Sequence, residues 1–515
     1  MLTGLVRQPE VAGAPAPEQV HLQFGADASG QVTVSWAAPA AVARPRLRFG
    51  QADGQAGTYV DADERRYTDA LTGETVWTYH AVAGSLEPDT PYGYEVVHDG
   101  AAPVTGTFRT APLGRSRPFR FTSFGDHAIP AAVGDGSGPH SPNAGYVVTA
   151  VDRLGPLFHL VNGDLCYANA SDQPVATWTS YLSAISRSAT HRPWMPVPGN
   201  HENESGNGPQ GYLPFQTRFS LPANGTPAFR GNWYAFTAGS VRFVALNNDD
   251  VCLQDGGFSG LRRDNVPGYR AGGVDPYISG YSGGRQRLWL ERELAAASQD
   301  DDIDWIVVFM HQVAMSSAHF NGADFGIRQH WLPLFDAYGV DLVLSGHEHH
   351  FERSHPVRGV LPGSALLTPA PVAANRGLSG VDAAGVVDTR FGTVHLTIGG
   401  GGHPYRVPAR PLHGPDEGVV VAGAGPGSPL VQRKSDLQTE PNVWSAYRDT
   451  DNAFGFASFD VVPAERDGTT SITVTYWAAA DGSPDYREQD RVVLRKPVRV
   501  AQRPGSQLAV TRQAR

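Results

Sequence analysis

Between residues 119 and 350 one event recurs. An apolar run stops, and a Gly, Asn, Asp or His follows at once: "FRFTSFGD", "LFHLVNGD", "PWMPVPGNHE", "VRFVALNND", "DWIVVFMHQ" and "VDLVLSGHEHH". Short runs rich in Val, Phe and Leu read as buried strands. The intervals between them hold helix candidates at 144–154, 176–189, 284–298 and 327–338. Strands alternating with amphipathic helices predict a sheet flanked by helices, and ligand groups in such folds gather where strands end and loops begin. The strand ends are the place to look for chemistry.

The rest of the chain is organised differently. Residues 1–17 are rich in Ala and Pro and read as a flexible N-terminal segment. From 18 to 111, short alternating runs such as "QVTVSWAA" and "YGYEVVHDG" are separated by Asp, Gly and Pro turns, the pattern of an antiparallel β-sandwich. Trp36 and "LEPDTPYGYEV" resemble a fibronectin type III-like domain, with Tyr92 or Tyr94 as its corner tyrosine. Nothing in this stretch suggests chemistry. "APLGRSRP" at 111–118 reads as a linker, and 118–500 as one α/β domain. Its last β runs, "TVHLTIGG", "FGFASFDVV" and "SITVTYWAA", are assigned to a second sheet of that domain. The Gly/Pro-rich stretches 253–284 and 403–445 show little periodicity and read as long surface loops, of the kind that serve as functional lids. Residues 501–515 read as a polar tail. The fold class expected is therefore multidomain: an all-β sandwich, then an α/β domain of two mixed sheets flanked by helices.

Composition narrows the function. With 59 Gly and 40 Pro among 515 residues the chain is loop-rich, and its length suits two or three domains. A net charge of −10 without a long Lys/Arg block argues against a nucleic-acid or anionic-membrane surface. No run of apolar residues is long enough to span a bilayer. The opening "MLTGLVRQPEVAGAPAPEQ" lacks a basic segment followed by an apolar one. Two cysteines, Cys166 and Cys252, exclude a disulfide scaffold; one bridge and two buried thiols are both compatible with the sequence.

The strand ends supply Asp126, Asp164, Tyr167, Asn200, His201, His311, His347 and His349. Each has a bland reading taken singly. Gly-Asp after a strand is usually a turn, His311 suits a core position, and "GHEHH" suits a solvated loop. Nitrogen and oxygen donors arriving together at successive strand ends are hard to obtain by accident, and point to a metal centre.

The ordered set GD…GDxxY…GNHE…H…GHxH resembles the purple acid phosphatases of the metallophosphoesterase superfamily, and the resemblance extends to the fibronectin-like domain before it and to "HHFER" after it. The tyrosine of "GDLCY" is its most discriminating element. The resemblance implies a dinuclear centre. Asp126, Tyr167 and His349 would hold one ion, usually ferric iron; Asn200, His311 and His347 would hold a divalent iron, zinc or manganese; Asp164 would bridge them. It further implies hydrolysis of small-molecule phosphate monoesters by a metal-activated hydroxide. His201 would contact the phosphate and His319 would assist the leaving group. His127, His350 and His355 are assigned to supporting or structural roles. Family habit also implies a secreted or cell-envelope location, with no nucleic-acid or membrane partner. The first motif departs from the usual GDxG, since Ala128 stands where the family has glycine. A phosphodiesterase on the same metal core is the alternative activity. An inactive binding or adhesion protein is the remaining one, and the intact ligand set speaks against it.

Overall fold

The computed structural model describes residues 13–499 apart from 53–56, 131–138, 205–208, 254–279, 319–320, 373–384, 404–413, 415, 425–434 and 453. Of the proposed N-terminal segment, 13–17 fall within it, and the Pro15 carbonyl lies 2.6 Å from His98 Nε2. The tail at 501–515 lies outside the described residues.

Eight strands build the N-terminal sandwich: β1 (Glu18–Phe24), β2 (Val32–Ala38), β3 (Arg46–Gln51), β4 (Thr58–Asp61), β5 (Asp63–Thr68), β6 (Thr75–Ala83), β7 (Pro91–Val97) and β8 (Val104–Arg109). They form two antiparallel four-stranded sheets, β1-β2-β6-β5 and β4-β3-β7-β8. The alternation read in the sequence points Trp36 inward, where it is fully buried and stacks on Tyr79 at 5.8 Å. Tyr92 is the corner tyrosine, its hydroxyl accepting from the Glu87 N–H at 2.8 Å. Tyr94 instead donates to the Thr190 carbonyl at 2.9 Å, well beyond the sandwich in sequence.

Two seven-stranded sheets follow. The first joins β9 (Phe119–Phe124), β10 (Phe158–Asn162) and β11 (Trp194–Val197), which are mutually parallel. The second carries β12 (Tyr234–Ala238), β13 (Val241–Ala245), β14 (Trp305–Phe309), a short β15 (Ala323–Asp324) being set apart, and β16 (Leu342–Ser345), with β13, β14 and β16 parallel. Strands β17 (Phe351–Ser354), β18 (Val357–Val360), β19 (Pro369–Pro371), β20 (Val386–Val387) and β21 (Val394–Ile398) come next, then β22 (Glu417–Ala424), β23 (Ser435–Pro441), β24 (Ser445–Arg448), β25 (Phe454–Val462), β26 (Thr469–Ala479) and β27 (Arg487–Pro497).

The late strands do not form one second sheet as the sequence suggested. Strand β21 pairs in parallel with β16, whereas β25 pairs antiparallel with β9 and is followed by β26 and β27. Both sheets are thus finished by the C-terminal part of the chain, because apolar runs record burial and not partner. The inner faces meet where Phe121, stacked at 4.4 Å on its neighbour Phe459 in the same sheet, meets the edge of Phe243 in the other at 5.1 Å.

Among the described residues the α-helices are α1 (Pro142–Leu154), α2 (Pro174–Ala189), α3 (Leu213–Arg218), α4 (Arg285–Gln299), α5 (Phe325–His330) and α6 (Leu332–Tyr338). Ser141 caps α1 by accepting from the Asn143 N–H, and Gly155 ends it at φ 59°. The single helix expected at 327–338 is two, broken at Trp331 ahead of Pro333, which has no N–H to continue the ladder. Nor is 403–445 simply loop. Strands β22 and β23 pair antiparallel within it, and β15 adds to β22. The sequence hid them because β22 is a brief Val run between glycines and β23 is polar, with most of its described side chains exposed. Most of the other proposed lid, 254–279, lies outside the described residues.

The sandwich docks on the second sheet. The Ala28 N–H donates to the Thr237 carbonyl and the Thr237 N–H to the Ala26 carbonyl, both at 3.0 Å, so edge strand β12 is covered. The segment read as a linker is stitched to the same place, Gly239 donating to the Pro112 carbonyl at 3.1 Å. Among the described residues no helix is long and apolar enough to cross a membrane.

Candidate metal centre

Parallel strands of both sheets end on a common edge, and this brings the sequence-selected groups together. Asp126 follows β9, Asp164 and Tyr167 follow β10, Asn200 follows β11, His311 follows β14, and His347 and His349 follow β16. Two subsets are distinguishable. In one, the Tyr167 hydroxyl lies 3.1 Å from Asp126 Oδ1 and 3.3 Å from His349 Nε2, which is itself 3.1 Å from Asp126 Oδ1. In the other, His311 Nε2 lies 3.1 Å from Asp164 Oδ2 and 3.2 Å from His347 Nδ1, and Asp164, His311 and His347 offer donor atoms all within 4.8 Å of one another.

The local backbone is unusual where these groups sit. Asp126, Asp164, Tyr167 and His347 have φ of 60°, 54°, 57° and 68°. Left-handed conformations cost non-glycine residues about 1–2 kcal/mol each, so the strand-to-loop turns here are held by their surroundings. Ala128 has φ 71° and its N–H donates to the Leu165 carbonyl at 3.0 Å. The alanine therefore adopts the turn for which glycine is suited, and the departure in the first motif leaves the Asp126 turn in place. Gly199 permits a close approach: a Cβ there would meet Asp164 Oδ1 at 2.3 Å.

Supporting hydrogen bonds orient the donors. His311 Nδ1 is 2.7 Å from the Asn162 carbonyl, which leaves Nε2 to face Asp164. The His311 and Gln312 N–H groups both donate to Asn248 Oδ1. Glu202, the glutamate of "GNHE", accepts from the N–H groups of Asp164, Leu165 and Gly199 at 2.8, 2.8 and 2.7 Å, clasping two of the turns. Nothing in the sequence motifs marks these supports, because hydrogen bonds to backbone groups leave no trace in residue type.

Electrostatics follow from burial. Desolvation alone would lower His311, but the Asp164 carboxylate outweighs it and lifts the imidazole to about 10. Desolvation and the nearby His311 push His347 well below the ordinary range. Desolvation, with Asp126 and Asp164 close by, drives the Tyr167 phenol well above its usual value. Carboxylates, a phenol and imidazoles packed this densely are stable only around positive charge, and protons and cations compete for it. Asn200 Oδ1 is buried without a hydrogen-bond partner, an orphaned acceptor of the kind a cation satisfies. The residues present fit a metal pair.

The remaining candidates separate. His201 lines the site with its Nε2 4.0 Å from Asp164 Oδ2, and its Nδ1 is held 2.7 Å from Asn169 Oδ1. His319 lies outside the described residues. His127 is buried against the Ala144 carbonyl at 2.7 Å, His350 faces Glu352 at 3.4 Å, and His355 is exposed. Cys166 and Cys252 form no disulfide and are buried in different hydrophobic clusters. Asn169 and His403 were both missed. His403 packs on Tyr167 and His349, and only its place directly after a glycine run could have singled it out.

Comparisons with known proteins bear on the family and the fold. Residues 17–123 match the model of the purple acid phosphatase N-terminal domain, and 119–351 that of the calcineurin-like phosphoesterases. Uncharacterized proteins of two Mycobacterium tuberculosis strains are 48% identical over 498 residues, covering 94% of this chain and 88% of theirs. A protein of Arabidopsis thaliana named Fe(3+)-Zn(2+) purple acid phosphatase 12 is 23% identical over 361 residues, covering 68% of this chain and 67% of its own. The solved purple acid phosphatase PPD1 of yellow lupin shares the fold with a TM-score of 0.66 at 20% identity, over 93% of this chain and 74% of that one.

Proposed function

This chain belongs to the purple acid phosphatase family of calcineurin-like metallophosphoesterases, and on that premise we propose that it hydrolyses phosphate monoesters of small molecules at a dinuclear metal centre. Asp126, Tyr167 and His349 would hold one ion and Asn200, His311 and His347 the other, with Asp164 shared between the two groups. The observation that carries the reading is the convergence of a phenol, carboxylates, imidazoles and the orphaned Asn200 amide oxygen at one edge of two sheets. Phenolate with carboxylate suits a hard ferric ion, and imidazole with amide oxygen suits a divalent iron, zinc or manganese. When bound, such a pair supplies charge neutralisation at the ester, an acidified water and an in-line clamp, so that no side-chain nucleophile is needed.

The protein's own groups do the rest. Asn169 fixes the His201 ring with Nε2 turned toward the site, where it can donate to a phosphoryl oxygen. Glu202 holds the Asp164 and Asn200 turns at a constant separation. His319 is the candidate to protonate the departing alkoxide. The domain division at 18–111 and 118–500 and a secreted or cell-envelope location belong to the same proposal.

Turnover of an aryl phosphomonoester compared with the matching bis-aryl diester tests the substrate class. A large preference for the diester would replace the monoesterase reading with the phosphodiesterase one. Metal analysis tests the centre itself, with about two ions per chain expected.

A further inference from the structure

The sequence "TIGGGGH" places His403 behind a run of glycines that the proposed chemistry does not use. The run leaves β21 and threads between the metal-site turns. A Cβ at Gly399 would meet the Glu348 carbonyl at 2.2 Å, one at Gly401 the Gly125 carbonyl at 2.3 Å, and one at Gly402 the His127 carbonyl at 2.4 Å. Those contacts are with backbone, which cannot swing aside as a flexible side chain would. The run is fastened on both flanks: Gly399 donates to the His350 carbonyl at 3.2 Å, Gly401 to the Gly125 carbonyl at 2.9 Å, and the Gly455 N–H to the Gly400 carbonyl at 2.9 Å. It ends with the His403 N–H donating to the Asp126 carbonyl at 2.9 Å.

His403 is delivered with little freedom. Its buried ring lies 4.1 Å from the Tyr167 ring and 4.5 Å from the His349 ring, centroid to centroid, tilted by 47° and 56°. Tyr167 and His349 are the groups whose donor atoms converge with Asp126 Oδ1. Tyr167 stands on a left-handed backbone turn, so contact with its ring is a direct way to set where the phenol points.

We propose that His403 is a positioning residue: its ring, brought in by Gly399–Gly402, wedges against Tyr167 and His349 and holds both aimed at a single ion. This rests on the dinuclear reading above and adds to it a residue that does not itself bind the ion. The role needs a flat ring of this size and not a charged or ligating nitrogen.

The test uses the intact protein loaded with iron, reading metal content and the visible phenolate-to-iron absorption together. His403→Ala is expected to lose at least half of that absorption and to retain about half the metal of the wild type. His403→Phe, which keeps a ring, is expected to stay near wild type in both. Should His403→Ala not fold, His403→Leu takes its place, filling the volume without a planar ring. Unchanged absorption and metal in the ring-less variant would overturn the proposal. So would a His403→Phe variant as impaired as the alanine one, which would assign the role to the imidazole nitrogens. A wild type that binds no metal pair would instead sink the dinuclear reading, and the proposal with it, which separates the two failures.

Discussion

Removing the Glu202 carboxylate probes how the site is held. The side chain is 1% exposed and accepts three backbone N–H bonds: Oε2 takes those of Asp164 and Gly199, and Oε1 takes that of Leu165. A buried donor left unpaired costs about 1–3 kcal/mol. In Glu202→Gln the amide oxygen can serve the two donors that share Oε2, while its NH2 is turned against the Leu165 N–H. One bond is lost, a cost of about 2 kcal/mol. Glu202→Ala strands all three donors and costs up to about 6 kcal/mol. For a unit of several hundred residues the size scaling of unfolding entropy gives roughly 1.5 °C per kcal/mol. Scanning calorimetry of chelator-stripped protein should then show Tm lowered by about 3 °C for Gln and by about 9 °C for Ala. Stripping the metal keeps its linkage from masking the difference. Equal shifts for the two variants would refute the argument, since it depends on counting stranded donors. Absence of any shift would show that the clasp does not hold the turns.

Tyr167→Phe should abolish the violet colour of iron-loaded protein while leaving its far-UV circular dichroism unchanged; a colourless iron-loaded wild type would show the tyrosine assignment to be wrong. Arg328→Ala should destabilise by about 3–5 kcal/mol in calorimetry, because the fully buried guanidinium bonds Glu440 at 2.6 and 2.7 Å and its loss leaves that carboxylate uncompensated. Stability should also fall in acid. Burial lowers His127 to about 4 and His395 to about 3, from 6.5. Since the folded pKa lies below the unfolded one, the stabilisation is complete above 6.5 and is lost as the pH falls toward 4 and 3. At about 1.4 kcal/mol per unit, His127 alone withdraws about 3 kcal/mol. Tm measured from pH 7 to 4 should drop steadily, and replacing His127 with Phe should flatten the slope.

Much of the molecule was legible in one dimension. Period-two alternation gave the sandwich with Trp36 inside it, and of the two corner candidates, Tyr92 and Tyr94, the structure selects Tyr92. Apolar runs closed by Gly-Asp, Gly-Asn or Gly-His gave the strand ends, because a buried strand must be hydrophobic and a tight exit from it needs small or turn-forming residues. Helix boundaries fell within a few residues of the pattern, except where Pro333 breaks the run and makes two helices of one.

What escaped depended on partners far away in sequence. No local signal tells β21 to join β16 while β25 joins β9, since the partner's face and not the strand's own composition decides the pairing. The polar strand β23 carries no apolar stripe, so only its pairing with β22 reveals it. Glu202 was visible as a letter in "GNHE", yet its hold on three N–H groups exists only once two strand ends are brought side by side.

The amino-acid order alone determined which residue types stand at which strand ends, and hence the class of chemistry available to the chain. A metal-competent set is a matter of identity and spacing, both of which the sequence carries. Tertiary structure decided how those groups divide into two subsets, that four of the candidate ligand residues take a left-handed backbone, and that a glycine run lays His403 against Tyr167 and His349. The physical reason is range. Strand and turn propensities act over a handful of residues, whereas distances of about 3 Å between Asp126 and His349 are set by packing two sheets whose strands lie far apart along the chain.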